Sequence, residues 1–503
     1  MATAVAGELW VPAWARVPRG SAAPVGGGGG PPGGTFNFFI SQNGDDNNVG
    51  SLASPWSITA LNTKTTYRGL NIGLIGDVSG VQTPITQGTV GGVSTSLYAL
   101  SNSAGSSGNQ PVINIDGGTS ASSTYIGSCN SAGVYTPRWA IIDASDGSSG
   151  YSTNQNQRIM GQSNQSATQV PHPGYITIDG LTIRYMSYCG IQLAYASRAA
   201  NVVVQNCELY NGSCISNNNP GAIRYQACQG IVIHNNKFHD LATTSGGSPR
   251  WGFSAIQCYG TLGSSDASVI TNNTTYNCSS LLQKDGNSDF ANCSYNYLDH
   301  GNFGSAANSD SGVGQGVLVS QQPAAGVTSV FHHNICLGML WLQPQGTNEL
   351  AGNYQFYNNT FFGTSNYPSF WTMDLRFGQN EATCQFYNNL VYAVDGYQGG
   401  GNGGSLFVEI ATVSIVNATF DKNVYGFGMT FGTVNDTTLS GFAQWQTNTS
   451  CDQNSVVLGS GVNPFSGTPS AQVPSSFAVN SDAVIGSITT GALDGSGTVG
   501  CSF

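Results

Sequence analysis

The chain has 503 residues, a formal net charge of -11 from 14 Lys and Arg against 25 Asp and Glu, and only 8% charged residues. So few cations cannot neutralise a nucleic-acid backbone, which excludes nucleic acid as a partner. A hydrophobic fraction of 39% with 68 Gly and 22 Tyr is also not the composition of a disordered chain, and its low charge and many hydroxyl, amide and aromatic groups suit a glycan partner.

Residues 1 to 34 read as a docking arm. Its apolar residues concentrate in LWVPAW, with Leu9, Trp10 and Trp14 as anchors, and the linker GGGGGPPGG follows from Gly26 to Gly34. A sticky peptide on a loose tether fits docking onto another protein. The rival reading is a vector remnant, because VPRGS (Val17 to Ser21) resembles a protease-cleavage sequence used in expression vectors. No basic leader precedes an uninterrupted apolar core and no later stretch has spanning length, so neither conventional export nor a membrane anchor is expected.

Residues 35 to 425 read as one solenoid. Its first part, to about residue 175, has long Ser/Gly/Thr loops, and the repeats are clear from 175 to 425. There, eight short strand-like runs end on asparagine: Asn206, Asn236, Asn273, Asn296, Asn334, Asn359, Asn389 and Asn423, in steps of 30, 37, 23, 38, 25, 30 and 34 residues. Self-similarity at this period marks stacked units that bury their apolar faces only against neighbours, and elastic spacing marks loop insertions between fixed strands. At a tight bend between parallel strands, Asn tolerates unusual backbone angles and its amide bonds to the next Asn about 4.8 Å away. That role is structural, so none of these asparagines is a candidate for chemistry. Residues 426 to 503 lose the pattern and read as a β-rich C-terminal cap or self-association segment covering the last strand edge.

The opening FFISQNGDDNNVGSLASPW (Phe38 to Trp56) resembles the start of many right-handed parallel β-helix proteins of the pectate-lyase-like superfamily, and the Asn-ending strands look like their coil repeats. The resemblance spans roughly residues 36 to 425. It implies an all-β, right-handed parallel β-helix, a superfamily holding polysaccharide lyases, glycosidases, phage tailspikes and adhesins.

A second strand lies 12 to 18 residues before each marked Asn, in an apolar, outward, apolar order. Period-two alternation makes the outward file Gln192, Arg224, Gln257, Gln283, Val319, Trp341, Arg376 and Glu409. Seven strand steps make a stripe about 34 Å long. Gln192, Arg224, Gln257, Gln283 and Arg376 suit hydroxyl groups, and Trp341 suits a pyranose face. The rival is an ordinary solvated sheet face. Asp374 shares the face of Arg376 and Glu409 lies one coil on, which puts two carboxylates near the separation used in retaining glycoside hydrolysis, with Arg376 holding one ionised. A surface ion pair is the rival reading. Lys284 and Asp285 in LLQKDGN fit a lyase base with help from calcium, or simply a strand-ending turn. His239-Asp240 and Asp299-His300 read as turns. No metal-binding spacing occurs, so no metal site is expected and no cofactor apart from calcium in the lyase case.

Seven cysteines in the repeats (Cys189, Cys207, Cys228, Cys258, Cys278, Cys293 and Cys336) read as small buried hydrophobes, with reduced thiols made in a reducing cytoplasm. Together these features lead to the expectation of a virion-surface protein, a tailspike or head-fibre/decoration protein, trimeric, assembled in the host cytoplasm and held to a capsid or tail protein by its N-terminal arm, that adsorbs to a host-surface polysaccharide. The alternatives are an extracellular polysaccharide-degrading enzyme, glycoside hydrolase or lyase, and a purely structural decoration protein.

Overall fold

The computed structural model describes residues 32–90, 92–103, 111–147, 157–162, 174–193, 199–213, 220–225, 228–242, 253–259, 268–278, 280–285, 290–299, 315–319, 328–337, 339–342, 353–363, 373–377, 383–393, 406–410, 418–428, 431–434, 437–439, 441–470 and 473–479. The arm anchors Leu9, Trp10 and Trp14 lie outside these residues. Three long sheets run the length of the molecule, two of twelve strands and one of eleven. One turn of chain visits each sheet once: Ile176–Asp179 in the first, Thr182–Met186 in the third and Cys189–Leu193 in the second, before Val202–Gln205 returns to the first. Within these three sheets the described strands pair in parallel with their counterparts one coil away, except the closing pair Gly432–Val434 and Thr437–Leu439, which is antiparallel. The chain is a right-handed parallel β-helix.

Apolar residues from all three sheets meet inside. Ile178, Val204, Ile233 and Ile270 line the first sheet, Ile183, Leu209 and Phe238 the third, and Ile191, Ile223 and Ile256 the second. Toward the C-terminal end the lining turns aromatic, with Phe331, Phe356, Phe386 and Phe420 packed in sequence along the first sheet. The nine described free cysteines are all buried. Burial raises eight of these thiols, Cys207 to about 12, and the cysteines pack as small apolar groups.

The two-residue bend between first and third sheets divides the asparagine's expected duties between neighbours. Left-handed backbone belongs to the residue before the marked one: Asn235, Asn272, Tyr295, His333, Asn358, Asn388 and Lys422 all have φ between 52° and 57°. The marked residue carries the amide contact. Asn236 Nδ2 donates to Asn273 Oδ1 at 3.1 Å, and the relay continues through Asn296, Asn334, Asn359, Asn389 and Asn423 at 2.9 to 3.3 Å. Each Nδ2 also donates to a main-chain carbonyl, and each Oδ1 also accepts a main-chain N–H, as from Asn296 to Asn334. Asn206 is corrected by this register. It is a left-handed residue, φ 56°, and the column's first member is Cys207, whose N–H donates to Asn236 Oδ1.

Both ends of the helix are closed locally. At the N-terminal end Trp56 stacks on Phe38 with centroids 4.3 Å apart. Gly50 passes beside this pair at φ +78°, where an added Cβ would fall 2.5 Å from the Trp56 ring, so only glycine fits. At the C-terminal end the helix Phe442–Thr449 lays Trp445 over Phe420, and buried Asp452 ends the asparagine column. Its carboxylate accepts from Asn423 Nδ2, Ser455 Oγ, Tyr425 Oη and Trp445 Nε1 at 2.6 to 3.0 Å.

Candidate functional site

The second sheet carries most of the residues singled out for binding. Its register runs Gln192, Arg224, Gln257 and Gln283 on successive strands, as the spacing predicts. Beyond that point the predicted file needs correction. Leu318, not Val319, stands beside Gln283 and Trp341, and the neighbour of Trp341 on the next strand is Asp374, not Arg376. A register irregularity between Gln315 and Val317 accompanies the change. Arg376 does lie beside Glu409, with Asp374 two positions earlier beside Phe407. Lys284 and Asp285 end the strand Ser280–Asp285, beside Cys258 and Tyr259. For Gln283, Lys284, Trp341, Asp374, Arg376 and Glu409 the structure describes the backbone position.

The first three members of the file are not a solvated stripe. Gln192, Arg224 and Gln257 are only 1%, 5% and 0% exposed. Their sequence neighbours Ile191, Leu193, Ile223, Tyr225, Ile256 and Cys258 belong to the core, so in this part of the sheet both faces are covered. Two further residues join them that alternation within the triplets does not reveal, Arg158 and Tyr188, at 3% and 4% exposure. The guanidinium carbons of Arg158 and Arg224 each lie 5.3 Å from the centroid of the Tyr188 ring. Burial lowers the Arg158 pKa, Tyr188 opposes that, and the like charge of Arg224 adds to it. The Tyr188 hydroxyl is raised by burial against the pull of both arginines.

Amide groups surround this cluster. Gln157 Oε1 accepts from the Ser187 hydroxyl at 2.8 Å, while Gln157 Nε2 is buried with no hydrogen-bond partner. Gln192 is more exposed to cost: neither its Nε2 nor its Oε1 has a partner. An orphaned buried polar group costs about 1–3 kcal/mol, and native proteins seldom leave one without a water or ligand to meet it.

The third sheet holds a second polar group of side chains. In register across its strands stand Asp143, Arg184, Tyr210, His239, Tyr276 and Asp299. The rings of Tyr210, His239 and Tyr276 stack at 4.7 and 4.8 Å, nearly parallel. Their faces are thereby used on each other, which leaves mostly ring edges for any ligand. His239 sits between two carboxylates, Nε2 3.1 Å from Glu208 and Nδ1 2.8 Å from Asp240. Lys237 completes the group at 2.8 Å from Glu208. Burial would raise the Glu208 carboxyl, but hydrogen bonds from His239 and Lys237 outweigh it and hold it at about 2. His239 and Asp240 thus lie within the strand Lys237–Ala242 and not in the turn their sequence suggests. Among the described residues no group of three His, Cys, Asp or Glu is placed to hold a metal ion, and no helix is long and apolar enough to cross a membrane.

No protein-family model matches the chain, and neither does any curated protein. Solved structures similar to it include pectate lyase Pel9A, at 13% identity and a TM-score of 0.44, covering 77% of this chain and 78% of that one. Another is the tailspike protein of E. coli bacteriophage HK620 in complex with pentasaccharide, at 12% identity and a TM-score of 0.39, covering 79% of this chain and 60% of the tailspike. A rhamnogalacturonan lyase aligns at 12% identity and a TM-score of 0.36, over 77% and 87%.

Proposed function

We propose that the protein adsorbs to a host-surface glycan along its second sheet and does so as a virion-surface tailspike or head-fibre/decoration protein. The observation that carries this reading is the unbroken parallel file from Gln192 through Arg224, Gln257, Gln283, Leu318 and Trp341 to Asp374, which begins in a buried amide whose donor and acceptor are both unmet. Six strand steps make the file about 29 Å long, enough for several sugar rings. Gln283 is the proposed hydroxyl ligand and Trp341 the proposed apolar contact, while Gln192, Arg224 and Gln257 lie under the covered part of the sheet. Buried reduced thiols suit assembly in a host cytoplasm. Residues 1–34 are the proposed docking arm, and trimerisation would multiply weak sugar contacts by avidity. Binding of the full chain to a glycan array, repeated with Gln283→Ala and Trp341→Ala, tests the reading. Array signals unchanged in both variants, or absent in the parent chain, refute it.

A second reading, a glycoside hydrolase, rests on the register that sets Asp374 beside Trp341 and Glu409 beside Arg376. It requires reducing ends to be released from a bound glycan and the release to stop in Asp374→Asn or Glu409→Gln. A lyase using Lys284 with calcium would instead give unsaturated products that absorb in the ultraviolet and stop forming in Lys284→Ala.

A further inference from the structure

We infer that residues 462–479 form a hinged flap that lifts off the third sheet while the solenoid beneath it stays folded. The structure describes 462–470 and 473–479 of this segment. The inference is independent of the glycan reading, which concerns the second sheet.

The outer face of the third sheet changes character along the molecule. Over five successive coils, from Tyr297–Asp299 to Val424–Tyr425, alternate residues such as Leu298, Cys336, Phe361 and Val391 point into the central core. Their neighbours Tyr297, Ile335, Leu337, Phe362, Leu390 and Val424 form a separate apolar cluster on the other face, completed by Leu458, Phe465 and Phe477. Toward the N-terminal end the same files continue in more polar residues. Thr274, Lys237 and Glu208 follow Tyr297, and Tyr276, His239 and Tyr210 follow Asp299. The apolar stretch thus stops where Phe477 meets Tyr297, with ring centroids 6.2 Å apart.

The segment rests on this face through two rings. Phe465 meets Phe362 and Tyr392 at 5.7 and 5.6 Å, and Phe477 meets Phe362 at 5.1 Å, all edge to face. Both phenylalanines are at most 2% exposed, whereas most residues around them in the segment face water. Main-chain bonds close within the segment: Ser466 N–H donates to Ala478 O and Ser476 N–H to Val473 O, both at 2.9 Å, and Phe465 bridges Val479 in antiparallel fashion. Lifting the rings therefore leaves the ladders of the third sheet intact.

A hinge lies at the right place. Leu458 is still tied to the solenoid, its N–H donating to Tyr425 O at 2.8 Å. Gly459, Ser460 and Gly461 follow. Gly461 is left-handed at φ +77°, and an added Cβ would meet nothing within 4 Å there and only Val462 Cγ2, at 3.6 Å, at Gly459. Backbone rotation at these glycines meets no packed wall. Opening uncovers a five-coil apolar strip about 19 Å long, from four strand steps. Closed, the flap keeps that strip from water. Off the sheet, so short a hairpin-like segment is marginal in water, so its amides exchange whenever it lifts.

Hydrogen exchange of the full chain across a urea series tests this. The Ser466 amide should exchange faster than the Leu390 amide, which donates to Asn359 O within the solenoid, and with a weaker urea dependence, as fits a small area exposed. Phe477→Ala should speed Ser466 exchange by about 100-fold or more, the effect of deleting a buried ring. Phe386→Leu changes the core beneath, where Phe386 packs on Phe356, Phe361 and Phe420. It should speed Leu390 exchange by about tenfold and leave Ser466 unchanged. Should Phe477→Ala fail to fold, the parent and Phe386→Leu decide the matter. A Ser466 amide that matches Leu390 in rate and urea dependence, or speeds up with it in Phe386→Leu, overturns the inference, because segment and solenoid then open as one unit.

Discussion

Replacing Asn334 by alanine removes one rung from the middle of the amide column. Its Oδ1 accepts from the Asn296 N–H and Nδ2, both at 2.9 Å, and its Nδ2 donates to Cys293 O and Asn359 Oδ1. Two of the groups left behind keep other partners: Asn296 Nδ2 still reaches Ile270 O, and Asn359 Oδ1 still accepts the Asn334 N–H. The Asn296 N–H does not, and it is orphaned in a column that is 0% exposed at both residues. One such donor costs about 1–3 kcal/mol, and the lost amide contacts add about 1 kcal/mol, which gives a loss of about 2–4 kcal/mol. Urea unfolding should report that loss, and hydrogen exchange should locate it, with the Asn296 amide exchanging faster and the Cys207 amide, three rungs away, unchanged. Asn334→Asp gives an independent check. It keeps the acceptor but sets a carboxylate against Asn359 Oδ1, so burial raises its pKa and favours the protonated form. Stability of that variant is therefore retained at low pH and lost as pH rises through the folded pKa. A loss below 1 kcal/mol in the alanine variant, with Asn296 exchange unaltered, would show that the column does not work as a chain of obligatory bonds.

Asn388 is left-handed at φ 54° and both atoms of its buried amide are without partners, so Asn388→Gly should leave the unfolding free energy from urea titration unchanged or raise it by up to about 1 kcal/mol. A clear drop would mean that the amide is bonded in solution. Glu208 has its carboxyl lowered from 4.5 to about 2, which stabilises the fold above pH 4.5 and loses that effect as pH falls toward 2. Thermal midpoints of Glu208→Gln should accordingly run flatter than the parent across that window; parallel curves would contradict the assignment. Asp452→Asn replaces an acceptor-only group facing four donors and should lower stability by about 2–4 kcal/mol, with amide exchange rising first around Val456 and Val457; no change there would remove Asp452 from the cap.

What could be read in advance follows from which residues have no substitutes. An amide column needs a group that both donates and accepts in every coil, so the marked asparagines announce the bend directly. The misplacement at Asn206 has the same origin. Asparagine also suits left-handed backbone, and in VVVQNC only the left-handed residue is Asn while the column position is Cys207. The second sheet has no such marker. Alternation there fixes which face a residue takes but not its partner, so it points to Val319 where the register has Leu318, and it does not separate Leu375-Arg376-Phe377 from Met373-Asp374-Leu375, an equally good triplet. Burial of Gln192 and Arg224 is a tertiary effect. Guanidinium and amide groups are usually at the surface, and nothing in a local pattern shows that a sheet's second face is covered.

The amide column has a direction. In every rung Nδ2 points toward the C-terminal end and Oδ1 toward the N-terminal end, from Asn236 to Asn423. Seven side-chain dipoles add along one axis, and the positive end of the row meets the Asp452 carboxylate. Such a row is indifferent to its own length, because any interior coil presents the same acceptor to the coil before it and the same donor to the coil after it. Coils can therefore be added or removed in whole units while Cys207 and Asp452 stay in place, and the reach of the protein becomes adjustable without redesign of either end.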